Sequence, residues 1–371
     1  MGKIKVLVVE DSRFFRELLV RNLEENPGIE VVAAAKDAYE AKDMIIRYEP
    51  DVMTLDIELP GMNGLEFLKK MMLQHPIRTV VVSTLNDKVF DAIRAGAVDF
   101  IAKPYEGDRS RVEDFVKYEL PGKIKIAAAA SLKVKARMRE NCHQDTKAAD
   151  EAIHYTAYDR KTKTSDKNGK TKNDNLIIAI GASTGGTEAT AEIMKGFGSD
   201  LPGIVITQHM PAGFTQMYAQ RLNQRAGLSL QVKEAENGDI VKPGHVYLAP
   251  GGDKHMKIKK IGGAYQIVLQ KSDKVSGHCP SVDVLFHSVA EAAGKNSVGI
   301  ILTGMGGDGS KGLLAMRNAG ARTIGQDEKS CVVYGMPKVA YELGAVEYQE
   351  DVTNIAKRTY SLVGQLQRNQ L

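Results

Sequence analysis

Short apolar runs rich in β-branched residues alternate with amphipathic stretches over the first 120 residues. The strand-like runs are IKVLVV at 4–9, VVAAA at 31–35, DVMTLD at 51–56, TVVVS at 79–83 and DFIAKP from residue 99. Between them lie segments with helical spacing of apolar residues, such as GLEFLKKMMLQH from residue 64. Repeated strand–helix units of this length require a parallel sheet covered on both faces. We therefore predict a doubly wound α/β domain over residues 1–120.

A second α/β domain is predicted over residues 175–371. Its strand signals include LIIAI, GIVITQH and SVGIILT, and its helical signals include TEATAEIMKGF and SVDVLFHSVAEAAG. The segment between the domains, 121–174, loses this alternation, and the stretch DRKTKTSDKNGKTKNDN at 159–175 is polar throughout. Such a sequence buries too little surface to offset its chain entropy. We interpret 121–174 as a flexible basic linker.

The linker accounts for the positive charge of the chain. From Leu120 to Asp174 there are 13 Lys/Arg against 7 Asp/Glu, whereas the whole chain has a formal charge of +4. The remaining chain therefore carries −2, which argues against a nucleic-acid-binding function. A response regulator acting on DNA is the alternative that this charge disfavours.

The sequence predicts a reduced, cytoplasmic protein. No apolar run approaches the length of a membrane span, so the chain is not expected to be inserted in a membrane. The apolar run at the start of the chain is also too short for a signal peptide. Cys142, Cys279 and Cys331 are odd in number and widely spaced, which fits neither a disulfide framework nor a metal motif.

Polar residues follow four of the predicted strands in the first domain. Glu10 and Asp11 follow the first strand, Asp56 ends the third, Ser83 ends the fourth and Lys103 ends the fifth. In a doubly wound sheet these ends meet at the carboxyl edge, where ligands bind. Carboxylate oxygens are hard ligands, so carboxylates that converge at one point favour the binding of Mg²⁺. Each residue alone also fits a helix cap or a surface turn, but together they predict a phosphoryl-binding site.

The motifs VEDS, DIELPGMNGLEFL, VVVSTL and DFIAKP resemble the receiver domain of two-component response regulators. The resemblance covers about residues 3–120 and implies a flavodoxin-like sheet. It also implies that Asp56 is the phosphoacceptor and that Glu10 and Asp11 hold Mg²⁺ together with the backbone carbonyl of Glu58. A histidine kinase of the chemotaxis system would be the phosphodonor.

The same resemblance makes Ser83 and Lys103 the switch hydroxyl and the switch lysine. It also implies a cis bond between Lys103 and Pro104. We expect phosphorylation to repack Ser83 and a neighbouring aromatic residue, Phe100.

The stretch NLIIAIGASTGGTEATAEIM, residues 175–194, places one serine in a glycine-rich turn between a strand and a helix. GASTG fits the G-x-S-x-G pattern that exposes a nucleophilic Ser183 on a sharp turn. A phosphate-binding loop is the alternative, because such turns also bind anions. The dinucleotide-binding spacing is broken at Ser183, however, and no Walker lysine follows. The nucleophile is therefore favoured over a nucleotide-binding output domain.

A serine nucleophile needs a base and an orienting acid. His209 follows the next strand at the same sheet edge, whereas His245 and His255 flank shorter elements and are weaker candidates. Asp308 lies just past a buried strand in LTGMGGDGSKG, a turn whose glycines let backbone N–H groups face an oxyanion. The order Ser183, His209, Asp308 differs from that of α/β-hydrolases.

The motifs IGASTGGTEA, TQHMPAGFT, CPSVDVLFHSVA and LTGMGGDGSKG resemble the chemotaxis receptor methylesterases, the protein-glutamate methylesterase/glutamine deamidase family. The resemblance covers about residues 175–365 and implies a Rossmann-like catalytic domain with no cofactor of its own. It implies that methyl-accepting chemoreceptors are the substrates, that methanol is released and that glutamines are also deamidated. Met305 N–H would be the oxyanion donor, with Thr184 as a helper. Phosphorylation of the receiver domain would activate the esterase.

Overall fold

The computed structural model describes residues 2–84, 87–105, 107–132, 172–225 and 230–369. These residues belong to two compact units, one in each half of the chain. Most of the predicted linker, residues 133–171, lies outside the described residues. Within them, no helix is both long enough and apolar enough to cross a bilayer.

The N-terminal unit is a five-stranded parallel sheet in the order β2-β1-β3-β4-β5. Its strands are β1 Ile4–Val9, β2 Ile29–Ala35, β3 Val52–Asp56, β4 Arg78–Ser83 and β5 Asp99–Ala102. Its helices are α1 Arg13–Glu24, α2 Ala38–Tyr48, α3 Gly64–Gln74, α4 Lys88–Ala95, α5 Arg109–Asp114 and α6 Leu120–Ala129. The strand order reverses between β1 and β3, which is the ligand-binding point of this doubly wound topology. The predicted fold class is confirmed.

The N-terminal unit extends beyond the predicted domain end at residue 120. A π-helical turn, Phe115–Glu119, leads from α5 into α6, and Leu120, Ile124 and Ala127 of α6 are buried. Arg78 of β4 also donates a hydrogen bond to the Ala130 carbonyl at 3.0 Å. The start of the predicted linker is thus a packed helix, because its apolar residues recur three or four positions apart.

The C-terminal unit contains a seven-stranded parallel sheet in the order β14-β13-β12-β6-β7-β9-β8. Its strands are β6 Ile177–Ala182, β7 Gly203–Gln208, β8 Gln231–Glu234, β9 His245–Leu248, β12 Ser297–Ile301, β13 Arg322–Gln326 and β14 Tyr348–Glu350. A separate antiparallel hairpin consists of β10 Lys254–Ile261 and β11 Ala264–Lys271. The helices are α7 Gly186–Lys195, α8 Phe214–Arg225, α9 Val282–Ala293, α10 Ser310–Asn318, α11 Met336–Glu342 and α12 Ile355–Arg368.

The central strand β6 sets the position of the candidate active site. It lies between β7 and β12, so the chain leaves it in one direction along the sheet and later returns on its other side. All six residues of β6 are buried. The loops that follow β6, β7 and β12 therefore meet at one switch point of the strand order, where ligands bind in open α/β sheets.

Candidate functional site

The N-terminal sheet brings three carboxylates together at its carboxyl edge. Glu10 and Asp11 follow β1, and Asp56 is the last residue of the adjacent strand β3. Their ligand oxygens lie within 4.8 Å of one another. Glu10 and Asp56 are buried, whereas Asp11 is exposed. This oxygen-rich arrangement suits a hard divalent cation.

Lys103 faces two of these carboxylates. Its Nζ lies 2.5 Å from Asp56 Oδ2 and 2.8 Å from Glu10 Oε2. Burial alone would lower the pKa of Lys103, but Asp56 and Glu10 outweigh that effect and raise it. Burial raises the pKa of Glu10, against the opposing influence of Lys103. One ammonium thus contacts two of the three acidic groups in the cluster, and the excess negative charge is what a divalent cation would neutralise.

The switch candidates lie beside this cluster. Ser83 ends β4 and is fully buried, and its Oγ has no hydrogen-bond partner among the described residues. Leaving a buried hydroxyl unpaired costs about 1–3 kcal/mol, so Ser83 is suited to an incoming phosphoryl oxygen. Phe100 on β5 is buried edge-on against Phe90, with ring centroids 6.1 Å apart. The Glu58 N–H donates to Asp56 Oδ1 at 2.9 Å.

The expectation of a cis Lys103–Pro104 bond is wrong. Within the described ranges the cis peptide bond is Cys279–Pro280, in the C-terminal unit. The Lys103–Pro104 bond is trans. The Lys103 N–H donates to the Ser83 carbonyl at 2.8 Å, which continues the pairing of β5 with β4.

Ser183 lies in the turn between β6 and α7. Its N–H donates to the Thr303 carbonyl at 3.0 Å, and its carbonyl accepts from the Gly186 N–H at 2.8 Å. Gly185 has a φ of 80°, and a Cβ there would lie 2.6 Å from Val332 Cβ. Glycine is therefore required for the sharp turn. Ser183 itself stays partly exposed at the start of a helix.

His209 is the neighbour of Ser183 across the sheet. Ala182 pairs with Gln208 in the register of β6 and β7, so the residues that follow them are adjacent. The His209 N–H donates to the Ala182 carbonyl at 3.0 Å. The Gln208 side-chain amide donates to the carbonyl oxygens of Ser183 at 2.8 Å and of His209 at 3.3 Å. The two candidate residues are thus tied together through the backbone.

Asp308 meets the His209 ring from the loop after β12. Asp308 Oδ2 lies 2.7 Å from His209 Nε2 and accepts from the Val282 N–H at 2.7 Å. Asp308 Oδ1 accepts from Ser281 Oγ at 2.7 Å and from the Asp283 N–H at 3.1 Å. Burial alone would raise the pKa of Asp308, but its hydrogen bonds to His209, Ser281 and Val282 outweigh burial and lower it. The carboxylate is therefore held ionised at the N-terminus of α9.

The contacts of His209 define its tautomer. Because Asp308 accepts at Nε2, the neutral ring carries its proton there and has its lone pair on Nδ1. Nδ1 is buried and has no hydrogen-bond partner among the described residues. Its lone pair is therefore available to accept a proton from a neighbouring hydroxyl.

Ser281 and His278, to which sequence reasoning assigned no role, also contact these residues. Ser281 caps α9 and donates to Asp308, and its N–H donates to Nδ1 of the fully buried His255 at 3.0 Å. His278 stacks on His209 with ring centroids 3.7 Å apart. The sequence signal at Ser281 is a serine before an amphipathic helix, which predicts a cap and not a contact with Asp308.

His245 lies elsewhere. It opens β9 at the amino edge of the sheet, opposite Ser183, and its Nδ1 contacts the Pro243 carbonyl at 3.0 Å. Both histidines that the sequence ranked lower, His245 and His255, thus have hydrogen bonds that do not involve Ser183 or Asp308.

The loop after β12 packs directly against Ser183. A Cβ on Gly304 would lie 2.6 Å from Ser183 Cβ and 2.4 Å from Met336 Sδ. Met305 is the residue that follows Gly304, and Gly304 lies against Ser183. Thr184 is buried, and its carbonyl accepts from Thr303 Oγ1 at 3.0 Å.

Gly304→Ala is expected to lower kcat about 100-fold, because the added methyl group displaces Ser183 and a misplacement of about 1 Å has that effect. Steady-state rates with a methyl-ester substrate measure this. Gly364→Ala is the matched control, since its Cβ would meet only Arg368 at 3.7 Å in the middle of α12. Equal rates for the two variants would contradict the assignment of the loop.

Comparisons with known proteins identify the families to which the two units are similar. The family described as CheB methylesterase matches residues 178–359, and the family described as Response regulator receiver domain matches residues 6–113. A protein-glutamate methylesterase/protein-glutamine glutaminase 2 of Syntrophomonas wolfei is 52% identical over 366 residues, which are 99% of each chain. The corresponding protein of Syntrophotalea carbinolica is 45% identical over 367 residues, 98% of each chain.

Among solved structures, the CheB methylesterase catalytic domain of Thermotoga maritima is 40% identical. It covers 51% of this chain and 98% of that chain, with a TM-score of 0.49. The similarity of the curated relatives extends over both units and the segment between them.

Proposed function

Because the chain belongs to the family of protein-glutamate methylesterases/protein-glutamine glutaminases, we propose that it hydrolyses glutamate methyl esters on methyl-accepting chemoreceptors and releases methanol. The observation that carries this proposal is the 2.7 Å contact between His209 Nε2 and Asp308. It leaves Nδ1 of His209, the strand-end neighbour of Ser183, without a hydrogen-bond partner among the described residues. A loop that binds anions through backbone N–H groups does not require a histidine hydrogen-bonded to an aspartate.

In the proposed reaction Ser183 Oγ attacks the ester carbonyl while His209 Nδ1 takes the hydroxyl proton. The carbonyl oxygen becomes an oxyanion, for which Met305 N–H is the proposed donor, with Thr184 beside it. The tetrahedral intermediate collapses, the C–O bond to the methoxy group breaks, and His209 protonates the departing methanol. Water then attacks the acyl-enzyme with His209 as base, and glutamate and free Ser183 are restored.

Asp308 stays ionised throughout. It stabilises the imidazolium that forms twice in each cycle and keeps Nδ1 directed at the reacting oxygen. The same steps with an amide substrate release ammonia in place of methanol, which accounts for the proposed glutamine deamidation.

Asp56 is the proposed phosphoacceptor. A carboxylate oxygen of Asp56 attacks the phosphorus of a phosphohistidine on the chemotaxis kinase, and the imidazole leaves. Mg²⁺ would be held by Glu10, Asp11, Asp56 and the Glu58 carbonyl, and would neutralise charge on the transferring group. Three of these acids have their oxygens within 4.8 Å of one another, which supports the assignment.

Lys103 and Ser83 would then contact the phosphoryl oxygens, and Phe100 would repack on β5. We propose that this rearrangement activates the esterase. We also place the protein in the cytoplasm, without a nucleic-acid partner. The free thiols of Cys279 and Cys331 are consistent with a reducing compartment.

Asp56→Asn is expected to abolish Mg²⁺-dependent labelling by acetyl phosphate, since the amide is not a nucleophile toward phosphorus. Mass spectrometry of the intact protein measures the added phosphoryl group. Asp51→Asn, at an exposed acid before β3, is the matched control and should label like the wild type. Equal labelling of the Asp56 variant would refute the phosphoacceptor.

Methanol release from methylated receptor membranes, with and without acetyl phosphate, tests the proposed function. The wild type should release methanol faster with the phosphodonor, and Asp56→Asn should not respond. Absence of methanol release under both conditions would refute the methylesterase assignment.

A further inference from the structure

The β10–β11 hairpin is strongly basic. From Lys254 to Lys274 the chain has six lysines and one acid, Asp273. The lysines lie at 254, 257, 259, 260, 271 and 274. The net charge of −2 outside the linker conceals this local excess, because acids elsewhere in the chain cancel it.

The hairpin turns its apolar side chains inward. Met256, Ile258, Tyr265 and Ile267 are buried, and the Ile258 N–H donates to Ser288 Oγ of α9 at 2.9 Å. The alternating positions of β10 point the other way, as expected for a half-buried strand. The hairpin therefore presents lysines at 257 and 259 on the face directed away from α9, and the lysine at 260 is exposed near the turn.

Most of these lysines have no acidic partner. Lys271 pairs with Asp253 at 2.7 Å, and Lys257 donates to the amide oxygen of Gln270 at 2.9 Å. Within the described parts of the chain, no ion pair is formed by Lys254, Lys259, Lys260 or Lys274. Their like charges repel one another and would be stabilised by an anionic partner.

The base of the hairpin lies next to the candidate active site. His255, the second residue of β10, accepts a hydrogen bond from the Ser281 N–H, and Ser281 Oγ in turn donates to Asp308. The segment that leaves β11 carries Lys274 and then His278, whose ring stacks on His209. The lysines thus begin beside the site formed by Ser183, His209 and Asp308 and continue along β10 away from it.

We propose that the outer face of the β10–β11 hairpin is a docking surface for an acidic, glutamate-rich segment of the receptor protein. This inference rests on the proposed function. Each turnover converts a neutral ester into a carboxylate, so a segment with several modifiable glutamates becomes more anionic as the reaction proceeds. A lysine row beside the site would hold such a segment while one of its esters reaches Ser183.

The length of the row matches a helical partner. On the outer face, Lys259 lies five residues beyond Lys254 at the start of β10, which is about 17 Å along a strand at about 3.3 Å per residue. A helix covers that distance with about 11 residues at about 1.5 Å each. Glutamates about two to three turns from the reacting residue would therefore lie over Lys257 and Lys259.

The double variant Lys257→Glu/Lys259→Glu tests this surface in the full-length protein. The substrate is a methylated cytoplasmic receptor fragment free of lipid. At about 0.01 M salt, where the Debye length is about 30 Å, we expect KM to rise about tenfold with little change in kcat. At about 1 M salt, where that length is about 3 Å, the difference should disappear. Fluorescence anisotropy should give the same change in the Kd of the fragment, independently of turnover.

The matched control is Lys242→Glu/Lys295→Glu, which reverses two exposed lysines outside the hairpin. Its KM and Kd should stay within twofold of the wild type. Equal KM and Kd for the two double variants would overturn the proposal. So would slower labelling of Ser183 by a fluorophosphonate in the hairpin variant, because the hairpin would then support the triad and not the partner.

Receptor membranes and the lipid-free fragment distinguish a protein partner from a lipid surface. An effect seen with receptor membranes but not with the lipid-free fragment would assign the hairpin to the lipid and overturn the proposal. If the wild type releases no methanol but the hairpin variant still raises Kd, the docking surface stands and the methylesterase function fails.

Discussion

Ser183→Ala is expected to lower kcat for methanol release about 10⁶-fold, since removal of the nucleophile in a serine hydrolase has an effect of this size. The hydroxyl is the group that forms the acyl-enzyme, so its removal leaves no oxygen to accept the acyl group at that position. KM should change little, because the lost interaction belongs to the transition state. Methanol release under saturating methylated receptor measures the effect.

His209→Ala should cause a loss of similar size, and the double variant should be no worse than either single one. The triad members act as a unit, so their effects are not additive. His245→Ala is the control, because that ring lies at the opposite edge of the sheet and contacts the Pro243 carbonyl. A larger loss in His245→Ala than in His209→Ala would mean that the wrong base is assigned.

Asp308→Asn is expected to lower kcat about 10⁴-fold, as the equivalent change does in other triads. The carboxylate accepts from His209 Nε2, Ser281 Oγ and two backbone N–H groups. An amide has one acceptor oxygen and so leaves buried donors unpaired. The His209 proton then shifts to Nδ1, which removes the base. The pH profile of kcat should lose its low-pH limb along with the rate.

Ser281→Ala is expected to lower kcat less than Asp308→Asn does. Loss of one hydrogen bond to a charged group is worth about 1.5–3 kcal/mol, or about 10–100-fold in kcat. Both variants should retain the phosphorylation of Asp56, since that site belongs to the other unit. If Ser281→Ala were as slow as Asp308→Asn, the serine would itself take part in the chemistry and the role given to Asp308 would be wrong.

Much of the fold follows from local sequence. The five strands of the first unit and the parallel strands β6, β7 and β12 form where apolar runs predict them, so their identification is confirmed. Parallel pairing then places Ser183 and His209 side by side, because residues that end neighbouring parallel strands share an edge. The motifs predict Ser183, His209 and Asp308 as candidates, and the resemblance to the receiver and methylesterase families implies the substrate and the phosphoacceptor.

Other features depend on tertiary contacts that no local pattern specifies. The sequence of β10, KHMKIKKI, has the composition of a charged surface segment. It forms a strand because its alternate residues pack under α9. The short strand β14 and helices α11 and α12 were not predicted. Ser281 meets Asp308 across 27 positions of sequence, so its contact with the triad could not be inferred from its own motif.

The C-terminal end of the first unit is another feature that local sequence does not specify. Composition changes gradually after residue 120, and a boundary drawn there separates α6 from the sheet on which it packs. Leu120, Ile124 and Ala127 are apolar at helical spacing, but such a short run does not by itself distinguish a packed helix from the start of a linker.

Peptide mapping after reaction with a fluorophosphonate shows directly whether Ser183 is the nucleophile. We expect one adduct per chain on the peptide that contains Ser183, with methanol release lost in proportion to labelling. We also expect His209→Ala to react far more slowly, because the base that activates the hydroxyl is gone. An adduct on another residue, or full labelling of Ser183 with methanol release retained, would contradict the assignment of Ser183.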